Sequence, residues 1–188
     1  TDSLLTIKGS SVGYSLRLVG EKVIMQGFAT ISIQSGVAYG LNQTPIVAID
    51  SNDIVLQAFN SIDIATIDTY LENEKAISIG GIKNGYETEF FHCIAPEIHI
   101  NDVQEGKNGG VSIEASKKIL FKGKTYVSSR GDGSTTSITT KNSEGLCVFK
   151  GPLSINSSAH SQVSIKACGS FQKDDASNHN GKIHVEGS

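Results

Sequence analysis

The chain has 188 residues, of which 38% are hydrophobic and 19% charged, enough apolar material to bury a core and not the profile of a disordered chain. A formal net charge of −3 and a pI of about 5.9 offer no basic stripe, which argues against a nucleic-acid partner. The apolar runs fall far short of the roughly 20 residues of a membrane span, so none is expected within this segment, and residues 1–10 lack the basic start and apolar stretch of a secretory signal.

Ile and Val dominate the apolar fraction, Trp is absent, and Met occurs once and Pro three times. Ser, Thr, Asn and Gly are abundant. β-Branched residues suit a pleated surface and small polar residues suit corners, so the composition is that of strands and turns with little helix. In chain order, short segments with apolar residues two apart recur at 5–7, 15–18, 22–26, 30–33, 46–49, 53–57 and 61–65. They continue at 76–79, 97–100, 111–114, 119–121, 126–128, 148–150, 163–166 and 182–185. This is the period of strands with one buried face. Gly, Asn, Asp, Ser and Lys separate them.

Whole groups of these segments repeat. Residues 15–35 align with 46–66 at a shift of 31, which places Leu16 on Val47, Leu18 on Ile49, Val23 on Ile54 and Met25 on Leu56. The same shift places Gly27 on Ala58, Phe28 on Phe59, Ile31 on Ile62 and Ile33 on Ile64. Residues 111–129 repeat the pattern with one insertion: Val111 and Ile113 take the first pair, Phe121 the Met25 place, Gly123 the Gly27 place and Val127 the Ile31 place. Each unit is strand, corner, strand, corner, strand. The corners are too short for crossover helices, and neither Asn84-Gly85 nor Asp132-Gly133 sits between two alternating runs as a tight hairpin would want.

Such a unit cannot bury its inward residues alone, whereas parallel stacking buries them in one column. The predicted fold is therefore an all-β parallel β-solenoid of one domain over residues 1–188, a segment of a longer chain or assembly. At about 20 to 25 residues per turn and roughly 4.8 Å per rung it would make about 8 turns and a rod of about 40 Å. Segments 36–45, 69–74, 102–109 and 172–180 are expected to bulge as polar loops. The alternative is an antiparallel β-sandwich or jelly roll, which has similar strand spacing but no reason to repeat its inward pattern at a fixed shift.

Residues 109–115 (GGVSIEA), 163–169 (VSIKACG) and 180–187 (NGKIHVEG) share a corner and an alternating strand. They resemble the rung repeats of filamentous-haemagglutinin-type adhesins and related autotransporter passengers, over the C-terminal half by motif and over the N-terminal half by strand pattern. The resemblance implies a right-handed parallel β-helix, secretion, exposure at a cell surface, and adhesion to a host receptor or glycan. A weaker similarity to sarcoglycan-like ectodomains, in which several chains share a β-helix, implies a multi-chain solenoid; self-association is expected if open end rungs pair with the next copy.

Arg130, Gly131 and Asp132 follow a strand within a small polar stretch (SSRGDGSTT). A guanidinium and a carboxylate splayed on either side of Gly can meet an acidic site and a metal or donor, as in integrin-type recognition, so these three are the candidate binding residues. Asn42 and Asn156 head glycosylation-type triplets. No catalytic residue, metal ligand or cofactor is expected: Asp50, Asp53 and Asp63 read as solvated corner or strand positions, Asp174 and Asp175 as a polar loop, and the five histidines have no ligand spacing. His92 reads as a core or edge residue. Cys93, Cys147 and Cys168 read as buried thiols, or as one disulfide and one free thiol. The expected function is structural or adhesive, with a self-assembling filament subunit and a glycan-binding or polysaccharide-active protein as alternatives. The last of these would need a line of exposed aromatics and acids along one strand face.

Overall fold

The structure is a computed structural model that describes residues 3–9, 16–35, 38–39, 47–66, 69–70, 76–102, 110–130, 133–167, 169–179 and 182–186. It is a parallel β-solenoid of about five coils, with no helix among the described residues. In chain order the strands are β1 (Leu4–Gly9), β2 (Leu16–Ser35), β3 (Ala38–Tyr39), β4 (Val47–Thr66), β5 (Thr69–Tyr70), β6 (Ile77–Gly80), β7 (Ile82–Lys83) and β8 (Tyr86–Glu87). There follow β9 (Phe90–Asp102), β10 (Val111–Ala115), β11 (Lys118–Ser129), β12 (Thr135–Thr140), β13 (Leu146–Ser157), β14 (Gln162–Ala167), β15 (Ser170–His179) and β16 (Lys182–Glu186).

The coil has three faces. Face one stacks the start of β2 and of β4 on β6, β10, β12, β14 and β16. Face two stacks the middle of β2 and of β4 on the first half of β9, β11, β13 and β15, and face three stacks β1 on the last part of each of those strands. The repeat alignment gives the register for most of the first two coils: Leu16 pairs with Val47, Leu18 with Ile49, Val23 with Ile54, Met25 with Leu56, Ile31 with Ile62 and Ile33 with Ile64. Inward residues thus form ladders, such as Ile49–Ile79–Ile113–Ile138–Ile165 on face one, every member at most 1% exposed. Burying each such side chain stabilises the fold by about 1.5–3 kcal/mol. On face two the filling becomes aromatic toward the C-terminus, where Phe121 stacks on Phe149 at 4.9 Å and meets Phe91 at 5.7 Å.

The corner between faces two and three departs from the expected alignment. Phe28 pairs with Ala58 rather than Phe59, across register shifts on both sides of it, and Phe59 is 69% exposed. Val127 lies in the Ile33 ladder, through Ile100 and Ile64, while Thr125 takes the Ile31 ladder through Ile98 and Ile62. The reason is a shrinking corner. Ile62 follows Leu56 by six positions, Ile98 follows Cys93 by five, and Thr125 follows Phe121 by four. The shortest corners are built around glycine: Gly123 has φ +142°, and a Cβ there would lie 1.7 Å from the Ala95 carbonyl oxygen.

Three other expectations are corrected. There are about five coils rather than eight, because successive coils are longer than assumed: Leu16 to Val47 spans 31 residues and Val47 to Ile77 spans 30. Residues 172–179 belong to strand β15 and are not a loop. Asn84 and Gly85 do form a two-residue turn, between β7 and β8, the one antiparallel pair among the described residues. Both have positive φ, 52° and 81°, as a primed hairpin turn requires. The hairpin needs no alternating flanks because it lies on the outside of face one: Asn84 Nδ2 donates to Asp50 Oδ2 at 2.5 Å and Lys83 Nζ to Ser78 Oγ at 2.6 Å.

Gly123→Ala should lower stability by about 2–3 kcal/mol, through strained φ and collision with the coil above, and shift the melting temperature down by roughly 5–10 °C. Thermal denaturation of the variant measures this, and an unchanged midpoint would show that the corner is not held in this conformation.

Candidate functional site

From face three to face one the chain leaves the coil at the same corner every time. The connecting segments are 36–46, 67–76, 103–110, 130–134 and 158–161 for the first five coils. Three of the four expected loops, 36–45, 69–74 and 102–109, correspond to these segments in sequence; of them Ala38–Tyr39, Thr69–Tyr70 and Asp102 are strand and the rest lies outside the described residues. Arg130 stands at the same corner. In the first two coils the excursions stack on one another, since β3 pairs with β5 in parallel.

The wall of this corner is a buried polar column. Thr66, Asp102, Ser129 and Ser157 stand in register on face three and are at most 1% exposed. A chain that turns outward at every coil leaves peptide groups without ladder partners, and small hydroxyl side chains satisfy them. Asp102 accepts from Thr66 Oγ1 at 2.5 Å and from Ser129 Oγ at 3.3 Å. Ser129 Oγ also meets Ser134 Oγ at 3.0 Å, and Ser161 Oγ donates to the Ser129 carbonyl.

Arg130 grows directly out of this column. Its amide donates to the Asp102 carbonyl at 3.1 Å, its carbonyl accepts from Ser158 Oγ at 3.2 Å, and its side chain is exposed. Gly131 and Asp132 lie outside the described residues. A shallow depression of about 370 Å³ is lined by Gly133, Ser134, Thr135, His160, Ser161 and Gln162, with the Gly133 amide bonded to the His160 carbonyl at 2.8 Å.

The other singled-out residues are dispersed. Asp50 is buried on the outer side of face one between Arg17, at 3.4 Å, and Asn84. Asp53 faces Lys22 at 3.9 Å at the start of face two. Asp63 lies on face three and accepts from Ser61 Oγ at 3.2 Å. These three do not come together, and among the described residues no three His, Cys, Asp or Glu side chains form a metal-ligand group. Cys93 and Cys147 are free, buried thiols, and burial pushes the Cys147 pKa up to about 12. Cys168 and Asn42 lie outside the described residues. Asn156 sits half-buried on β13.

Two surface features escape a reading based on alternation. The outward row of face three runs Ser32, Asp63, His99, Tyr126, Ser154. In it His99 stacks on Tyr126 at 4.8 Å, with Glu97 3.6 Å from the imidazole and Lys124 4.9 Å over the phenol. The second is a polarity along the rod. Residues 47–102 hold ten acids against two lysines, whereas 111–157 hold seven cations against three acids. A net charge near zero conceals both.

No protein-family model, curated protein or solved structure matches this chain.

Asp102→Ala should cost about 1.5–3 kcal/mol, because two buried hydroxyls lose a charged acceptor, while Asp102→Asn, which keeps one acceptor oxygen, should recover most of it. Equal losses for both variants, measured by urea denaturation, would show that the column does not depend on that carboxylate oxygen pair.

Proposed function

We propose that this chain is a structural and adhesive rod that carries its contacts along one edge. The observation behind this reading is the shared corner: excursions of different length and sequence leave the coil at the same place, while the core ladders beneath them continue in register. A stacked backbone fixes the spacing of those loops without requiring their sequences to agree, which suits display rather than a single enclosed reaction site. Arg130, Gly131 and Asp132 are the best contact on that edge, directed at a receptor that takes a guanidinium and a carboxylate together. The rung resemblance to filamentous adhesins fits the same reading and favours a location outside the cell or at its surface.

Glycan binding is a second reading, favoured by the Asp63–His99–Tyr126 row with its flanking Glu97 and Lys124, which combines ring edges with charged donors and acceptors on one flat face.

In an attachment assay on immobilised protein, Asp132→Glu should abolish cell binding while leaving the melting curve unchanged. Undiminished attachment would remove the tripeptide from consideration. If glycans are the ligand, Tyr126→Ala should instead eliminate binding on an oligosaccharide array that Asp132→Glu leaves intact.

A further inference from the structure

Outward rows on faces one and three are mostly small and polar, with Ala48, Ser78 and Ser112 of face one and Ser32 of face three themselves buried. On face one Ala48, Ser78, Ser112, Ser137 and Ser164 follow each other. Face two is different. Its central outward row is Ile24, Val55, His92, Leu120 and Val148. Ile24 is 48% exposed, Val55, His92 and Leu120 are partly exposed, Val148 is buried, and the ladder continues to Gln172 of β15. On one side of this row stand Lys22, Asp53, Phe90, Lys118 and Leu146, and on the other Gln26, Gln57, Ile94, Lys122 and Lys150. Water meets an apolar centre with charges at its margins, the pattern of an interface.

The charges say what covers it. A twofold axis parallel to the strands and passing through the His92 coil superposes the second coil of one copy on the fourth of the other, and keeps each residue's place along the strand. Asp53 then faces Lys118 of a second molecule, twice by symmetry, and Val55 faces Leu120. The pairing runs the rods antiparallel, so the second coil, with Asp53 on this face, lies against the fourth, with Lys118 and Lys122. A twofold axis along the rod and centred on the same row would run the rods parallel with strands reversed, and would set Lys118 against Lys122 and Asp53 against Gln57. His92 lies at the axis, and its Nε2 is buried without a hydrogen-bond partner. Burial, aided by Lys118 and opposed by Asp53, lowers its pKa and keeps the imidazole neutral near pH 7.

We propose that the outer side of face two is a self-complementary surface on which a second copy of this chain docks antiparallel, with Asp53 against Lys118 and Val55 against Leu120. Strand and rung spacings give the face roughly 400 Å² per copy, about half the area of a standard interface, so the dimer is weak and concentration-dependent.

Sedimentation equilibrium of the 188-residue chain, over two decades of concentration up to the solubility limit, should fit a monomer–dimer equilibrium. Asp53→Lys and Lys118→Asp should each raise the dissociation constant about tenfold or more, and the double exchange should return it to within about threefold of the parent. Leu120→Glu should leave only monomer. Circular dichroism melting establishes that each variant is folded, and the Lys22 contact of Asp53 is expected to matter little at an exposed pair. A parent that stays monomeric, single exchanges without effect, a double exchange that fails to restore association, or a mass that climbs past the dimer would each overturn the proposal.

Discussion

In a stack of parallel coils every residue sits roughly 4.8 Å from its counterpart above and below, and this repetition constrains every other feature of the molecule. A ladder multiplies whatever is placed in it. Isoleucine over isoleucine gives a continuous seam without polar atoms, and the inward positions of face one repeat that choice from Ile49 to Ile165. The same multiplication punishes like charges directly opposite one another. Along one edge of face two Lys22 lies beside Asp53 and Asp53 beside Phe90, while on the other edge Lys122 beside Lys150 breaks the rule. Face three sets Asp63 beside His99. The buried Thr66, Asp102, Ser129 and Ser157 column obeys the rule as well: its single carboxylate is flanked by hydroxyls that donate to it.

Corners are where the repetition can be broken, but the three corners are not equivalent. Between faces two and three the strand continues through the bend, and small residues close it: Gly27, Ala58, Ala95, Gly123 and Gly151. At Gly123 and Gly151 a Cβ would meet the backbone of the adjacent coil, whereas at Gly27, on the longer corner of the first coil, it would meet nothing within 4 Å. Between faces one and two the β7–β8 hairpin interrupts the third coil, held by Asp50 and Ser78. At the corner between faces three and one, Ser157 Oγ donates to the Ser161 carbonyl and Ser161 Oγ to the Ser129 carbonyl, so hydroxyls there take up backbone groups that the ladder leaves.

Such a fold writes its inward ladders plainly into the sequence. Leu16 and Val47, or Ile31 and Ile62, are recognisable as partners because one solution, hydrophobic and β-branched, serves both. Register is legible as long as corner length is constant. It failed at Val127, where a corner two residues shorter moved the next apolar residue down one ladder step. The hairpin at Asn84 and Gly85 was obscured for the opposite reason: its strands lie on the surface and carry no alternation to read. Outward rows are harder still. Residues 118–122 (KILFK) and 146–150 (LCVFK) place apolar residues at both parities, so alternation alone cannot say that Leu120 and Val148 point away from the core. Only the pairing with His92 and Val55 shows that these residues make one row.

The geometry of a three-sided coil relates the two surfaces singled out here. The corner between faces three and one lies opposite face two, so the loop-bearing edge and the apolar row are on opposite sides of the rod. Two copies joined through face two would bury neither Arg130 nor the depression beside it, and would turn both loop edges outward. Antiparallel pairing adds a further consequence, since the excursions lengthen toward the first coil. Each edge would present its long loops beside the other copy's short ones, which evens the display along the pair. Lateral association and loop presentation therefore place no competing demand on the same residues. A chain using face two for a soluble ligand would gain nothing from this opposition, whereas a paired rod that must contact its surroundings on both sides requires it.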